Sequence, residues 1–205
     1  MDILEKLFGS GDRVRIMRMF LFNPDAVYMV QQIAGRTTAS RRVVDRELAL
    51  LQKAGLIRRK PFSKNAKDGN GNRLKGNGWT LNKGFKYLRP LENLLIQQAL
   101  MSESEILRRL ERVGKLKLVV IAGLFIQDPE SRVDLLVVCD HMKKRTLLQV
   151  IKSLEAEIGK ELKYAAFETP EFQYRVGMYD KLIRDIFELP HRRVLDRLGF
   201  LAKPS

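Results

Sequence analysis

The apolar residues of the first half recur at helical spacing in three short blocks. Val14, Ile16, Met17, Phe20 and Leu21 share one face, and Ser10-Gly11-Asp12 supplies a capping side chain before them. Asn23-Pro24-Asp25 ends that helix, because proline forces its predecessor out of helical geometry. A second helix is predicted over 29–34, with Val30 and Ile33 inward, and Gly35-Arg36-Thr37-Thr38 reads as a tight turn. Ala39 or Ser40 opens a third helix running to about Ala54, with Val43, Val44, Leu48 and Leu51 as its buried stripe. Gly55 is placed to close it in a left-handed conformation.

Beyond Gly55 the period changes. Residues 56–60 read as a strand and 78–82 as its antiparallel partner, joined by a loop over 63–76 rich in Lys, Asn and Gly. Its Asp68-Gly69 and Asn70-Gly71 pairs favour hairpin turns. Helices are predicted over about 88–101 and 103–113. The second half then alternates: strands at 116–122 and 133–138, a helix over about 145–158 with Leu147, Leu148, Ile151 and Leu154 inward, and a strand at 162–167. Thr169-Pro170-Glu171 has the form of a helix start, with threonine as cap and proline in the first helical position. Helices at 171–178 and 180–188 and a short strand near 193–196 follow. Strands and helices mixed in this way define an α/β or α+β domain.

Charge sharpens the division. The 205 residues carry +14, with 19 basic against 7 acidic residues in 1–90 and 19 against 17 in 91–205. The first part alone therefore holds +12, which favours an anionic partner, and nucleic acid is the commonest. The longest apolar run, 118–126, falls short of the ~20 residues a membrane-spanning helix needs. Met1-Asp2-Ile3-Leu4-Glu5-Lys6 lacks the basic head and apolar core of a secretory signal. Cys139, the one cysteine, cannot form an intramolecular disulfide or a cysteine metal cluster and is expected to be buried. His141 and His191 have no partner set for a metal. These readings give a cytoplasmic protein with no membrane partner and no cofactor.

Helix, helix, turn, helix and hairpin is the order of a winged helix-turn-helix. The third helix begins Ser40-Arg41-Arg42 and continues through Arg46, so its leading polar face is basic, and its amino-terminal N–H groups suit phosphate. Arginines there can pair bidentately with guanine edges in a major groove. The hairpin carries Arg58, Arg59 and Lys60, then Lys64, Lys67, Arg73 and Lys75, against Asp68 alone. The stretch from Ile33-Ala34 to Leu56-Ile57, with Glu47-Leu48, Leu51 and Ala54-Gly55-Leu56-Ile57, resembles bacterial and archaeal winged-helix transcriptional regulators over about residues 8–82. Asp68, Asn70 and Asn72 have calcium-loop spacing, but Arg73 replaces the expected glycine and Trp79 the expected glutamate. Trp79 is read as core packing beneath the hairpin.

From Leu118 the chain resembles the minimal nucleotidyltransferase domains. In that family a strand ends in Gly-Ser, which cradles a triphosphate, and Asp-x-Asp on the next strand binds Mg²⁺. Here Gly123 is followed by Leu124, and the carboxylate pair becomes Arg132-Val133-Asp134. On a strand, residues 132 and 134 share a face, so Arg132 is expected to repel Mg²⁺ and pair with Asp134. The family resemblance thus implies a non-catalytic domain.

The combined expectation is an α+β protein. Residues 1–101 form a winged helix-turn-helix, three helices plus a β-hairpin wing, with a connector helix. Residues 102–205 form a small α/β nucleotidyltransferase-like domain with a mixed sheet. The expected function is sequence-specific transcriptional regulation on double-stranded DNA, as a homodimer. Ser40, Arg41, Arg42 and Arg46 are assigned to bases, and Arg36, Arg58, Lys64, Lys67, Arg73 and Lys75 to phosphates. Gly123, Leu124, Arg132 and Asp134 mark the degenerate motif, and a protein partner or nucleotide-like effector is expected at the second domain. Two alternatives stay open: an active Mg-dependent nucleotidyltransferase with an autoregulatory DNA-binding domain, and an antitoxin-like interaction protein.

Overall fold

A computed structural model describes residues 3–67, 73–97 and 101–199, with side chains throughout except at 62–67, 73–75 and 97. The chain is α+β and divides into two compact units. The first comprises Met1–Ala99 and Ser153–Lys160, the second Leu100–Lys152 and Glu161–Ser205. Among the described residues no helix is long and apolar enough to cross a membrane.

In the first unit, α1 (Ile3–Phe8) and α2 (Gly11–Phe22) are followed by α3 (Val30–Thr37) and α4 (Arg41–Lys53). Ser10 caps α2 by accepting the Arg13 N–H at 3.2 Å, and Ser40 caps α4 by accepting the Val43 N–H at 3.4 Å. The predicted turn at 35–38 is instead mostly helix. Thr37 is buried and its hydroxyl bonds back to Ile33 O at 2.8 Å, so Gly35 and Arg36 stay helical and the left-handed Thr38, φ 55°, ends α3. Gly55 is left-handed as expected, at φ 82°. On α4 the inward face is Val44, Glu47, Leu48 and Leu51, while Val43 is only half-buried.

The hairpin is longer than its sequence suggests. Strands β1 (Ile57–Lys67) and β2 (Arg73–Leu81) pair antiparallel from Ile57↔Leu81 to Ser63↔Lys75, then, after an irregularity, at Lys67↔Arg73. Most of the expected 63–76 loop is therefore strand. The ladder extends past the predicted strand ends because a solvated hairpin needs no apolar alternation, and the Asp68-Gly69 and Asn70-Gly71 turn signals lie outside the described residues. The calcium-like spacing at 68–72 lies outside the described residues. The helix predicted from Leu88 appears as α5 (Leu88–Glu92) and a π-helical turn, Asn93–Gln97. The core joins Ile16, Phe20, Ile33, Leu48, Leu56, Trp79, Leu81 and Leu95.

The second unit contains α6 (Glu103–Leu110), β3 (Lys115–Ile121), a 3₁₀ turn (Gly123–Ile126), β4 (Leu135–Asp140) and α7 (Lys144–Ile158), whose last turns cluster with the first unit. Then come β5 (Tyr164–Glu168), α8 (Thr169–Gly177), α9 (Lys181–Glu188) and β6 (Arg192–Asp196). The sheet order is β5-β4-β3-β6, with β4–β5 parallel and both other pairs antiparallel, so the sheet is mixed. Residues 118–121 of β3 and 135–139 of β4 read as continuous apolar runs because the strands are buried on both faces there. One face joins Leu118, Val120, Leu136, Val138 and Phe167 to Phe172, Ile183 and Ile186 of α8 and α9.

Two local expectations fail. Leu148 is half exposed, at 50%, and Val150 takes the inward position on α7. Thr169 does not cap α8; its hydroxyl donates to Asp140 Oδ1 at 2.5 Å, tying the start of α8 to the end of β4. Pro170 does occupy the first turn.

Candidate nucleic-acid interface

The orientation of α4 follows from one buried carboxylate. Glu47 is fully buried and accepts Arg13 Nε of α2 at 2.7 Å and Arg46 Nη2 at 2.9 Å. Arg13 also donates to Phe8 O at 2.7 Å, so α1, α2 and α4 meet at this ion pair. Burial by itself raises the Glu47 pKa, but the two arginine hydrogen bonds outweigh it and hold the carboxyl below its usual range. Nothing in the helical pattern singles out a charged residue at that inward position. Its nearest signal is the i+3 step from Val44.

With the inward face of α4 fixed, the opposite face is polar. Ser40, Arg41, Arg42, Asp45 and Arg46 are all exposed. Arg41 lies 3.8 Å from Asp45, and Arg46 is held to Glu47, so part of the helix's positive charge is balanced by its own carboxylates. On β1, Arg58, Arg59 and Lys60 are exposed in sequence, and among the described residues no carboxylate pairs with them. Lys64, Lys67, Arg73 and Lys75 belong to the two hairpin strands rather than a loop, and their side chains lie outside those described. Arg36 is half-buried on α3, with its guanidinium 5.2 Å from the centre of the Tyr28 ring. The site residues therefore come from α3, α4 and the hairpin.

One feature was not legible from spacing. Tyr28 and Trp79 exchange backbone hydrogen bonds at 2.9 and 2.8 Å, adding a third extended segment beside β2. Both rings are buried, and Arg59 lies over Trp79 with 4.7 Å to the ring centre. Arg59 stands out in the sequence only as the middle of a basic run. The pairing register makes it the opposite number of Trp79.

The four residues of the expected phosphoryl-transfer motif gather at one corner of the second unit. Gly123 has φ 48° and abuts Asp134, whose Oδ1 accepts the Leu124 N–H at 2.7 Å. The other oxygen of Asp134 accepts the Lys163 N–H at 2.8 Å. Asp134 is buried and serves as a bracket for three backbone segments. Arg132 does not pair with it as expected. Its Nε lies 3.2 Å from Asp185 Oδ2 on α9, because residues 132–134 precede β4 and the strand alternation does not yet apply. Asp128 shapes the preceding loop by accepting the Glu130 N–H at 3.1 Å and the Ser131 hydroxyl at 2.9 Å. An open cleft of about 660 Å³ beside this loop mixes Arg132 and Lys163 with Glu130, Asp185 and Glu188. Among the described residues no three His, Cys, Asp or Glu side chains converge on a common metal position.

Cys139 is buried on β4, and burial, reinforced by the charges of Glu168 and Asp140, pushes its thiol pKa up. His141 is exposed, whereas His191 is half-buried, 2.9 Å from Leu189 O and edge-on to Phe187. No protein-family model, curated protein or solved structure matches the chain.

Proposed function

We propose that the protein is a transcriptional regulator that binds double-stranded DNA through its first unit, a winged helix-turn-helix, with α4 in the major groove and the β1–β2 hairpin as wing. The observation that carries this is the outward face of α4. The buried Glu47 fixes the helix inward side, leaving Arg41, Arg42 and Arg46 outward near its Ser40-capped start. Arginine can read guanine edges there, and the unpaired N–H groups of the first turn suit a phosphate. The exposed Arg58, Arg59 and Lys60 of β1 and the +12 charge of residues 1–90 support the same reading.

For the second unit the proposal is a nucleotidyltransferase-like fold that performs no transfer and instead receives a protein or nucleotide-like effector. Asp134 spends both oxygens on backbone N–H groups, one of them Leu124 at the place where the family resemblance puts a phosphate contact. Arg132 stands in the sequence where the family resemblance puts the other carboxylate, and its side chain pairs with Asp185. Both features oppose the two-metal chemistry of an active transferase.

The test is binding of the full chain to labelled genomic fragments across a salt series, followed by footprinting. If about six phosphates are neutralised, log K falls with log salt at a slope near −5. Absence of salt-dependent DNA binding would refute the reading.

A further inference from the structure

Three backbone segments run side by side at the base of the hairpin. Tyr28 and Trp79 are a mutually hydrogen-bonded pair, and Trp79 stands opposite Arg59 across β1 and β2. Residues directly opposite one another project to the same face, so Tyr28, Trp79 and Arg59 form a single row. The row is anchored from within: Tyr28 packs edge-on against Phe20 with ring centres 5.9 Å apart, and Phe20 is fully buried. Two guanidinium groups top this row, Arg59 over the Trp79 ring and Arg36 of α3 over the Tyr28 ring.

Resting on the proposed DNA reading, we infer that Arg36 and Arg59 act together as a phosphate-gripping pair mounted on the Tyr28–Trp79 platform. A guanidinium over an aromatic face attracts the ring through its flat side and leaves N–H donors around its edge. Those donors match the oxygens of a phosphodiester, so ring contact and phosphate contact do not compete. The buried rings also limit the rotamers each arginine must give up on binding, which lowers the cost of ordering them. The contrast with α4 is informative. Arg41 and Arg46 each share their charge with a carboxylate, whereas among the described residues Arg59 has none beside it. The aromatic row is therefore assigned a share of the sequence-independent, salt-sensitive part of binding, and the helix the base preference.

The experiment measures binding of the full chain to a short labelled duplex of arbitrary sequence over a salt series. Arg59→Gln and Arg36→Gln are each expected to lower the magnitude of the log K against log salt slope by about 0.9, and the double variant by about twice that. The loss is expected to be equal on unrelated duplexes, with Arg59→Lys retaining the slope of the unaltered chain. Trp79 fluorescence reports folding, and if Arg59→Gln does not fold, Arg59→Lys and Arg36→Gln carry the measurement. A parent chain that binds DNA with a salt slope, whose slope is unchanged in these variants while Arg42→Ala weakens a preferred site, overturns the pair and leaves the DNA reading standing. A parent chain with no salt-dependent binding overturns both.

Discussion

Gly159→Ala should destabilise the first unit by several kcal/mol, although residue 159 is remote in sequence from the rest of that unit. Gly159 follows α7 with φ 86°, and a Cβ there would sit 2.6 Å from Arg18 C and Met19 N and 2.8 Å from Arg18 Cβ. A side-chain-bearing residue in the left-handed region costs roughly 1–2 kcal/mol. Crowding against helix backbone, which cannot rotate away as a side chain does, adds about 1–3 kcal/mol. The expected loss is thus about 2–5 kcal/mol.

Relief by moving the segment is limited, because its carbonyls are in use. Arg18 is 6% exposed and donates to Leu95 O at 3.1 Å and Glu157 O at 3.0 Å, and Asn23 Nδ2 donates to Gly159 O at 3.2 Å. The assay is denaturant unfolding followed by Trp79, the single tryptophan and a buried residue of the first unit. Gly35→Ala is the control: its Cβ meets nothing within 4 Å in α3, and it should gain up to about 1 kcal/mol. A Gly159→Ala chain whose Trp79 transition matches the parent would refute the reasoning.

Three further outcomes are expected. Glu47 has a folded pKa below its ordinary 4.5, so its contribution is present above that value and lost as pH falls through the folded pKa; Trp79-monitored stability should drop on acidification, and Glu47→Gln should flatten that drop. Cys139 should resist iodoacetamide in the folded chain and react after unfolding, since burial keeps the thiol protonated and covered; rapid alkylation of folded protein would contradict this. Arg42→Ala should cost about 1–3 kcal/mol on a preferred duplex and blur sequence preference, whereas Lys67→Ala should weaken all duplexes alike, and competition binding distinguishes the two patterns.

What could be read from the sequence was whatever depends on local period and local chemistry. Ser10, Ser40 and Gly55 mark helix ends through interactions with their own neighbours, and each stands where its chemistry requires. Residues 118–121 of β3 and 135–139 of β4 declare themselves as unbroken apolar runs because both sheet faces are buried there. What was hidden depends on pairing across the chain. The length of the hairpin is set by ladder hydrogen bonds between polar segments whose own residues give no strand alternation. Glu47 is inward because Arg13, from another helix, arrives to meet it. The same holds for the candidate site: the basic run at 58–60 was visible, but the placing of Arg59 on Trp79 is a matter of strand register. Arg132 turned to Asp185 for a similar reason, since the start of β4 lies two residues later than the apolar pattern suggests.

The corner at Asp134 yields the most direct test of the proposed loss of catalysis. Restoring the family-like residues with Leu124→Ser and Arg132→Asp supplies a hydroxyl and a second carboxylate, yet Asp134 remains occupied. Its two oxygens hold the Leu124 and Lys163 N–H groups at 2.7 and 2.8 Å. A Mg²⁺ ion needs oxygen ligands at about 2.1 Å in near-octahedral arrangement. Turning Asp134 toward a metal would strain or release these part-buried N–H bonds, at about 1–3 kcal/mol for each one released. Gly123 adds a steric limit, since its backbone approaches Asp134 so closely that even a Cβ would collide with Oδ1. The doubly substituted chain is therefore expected to show no saturable Mg²⁺ binding by calorimetry and no transfer of labelled nucleotide. Asp134→Asn probes the same bracket from the other side. An amide offers one acceptor where two are needed and sets an NH₂ group against the second N–H, so stability should fall by about 1–3 kcal/mol. Saturable Mg²⁺ binding by the restored chain, or an Asp134→Asn chain as stable as the parent, would show that Asp134 is not committed to the backbone.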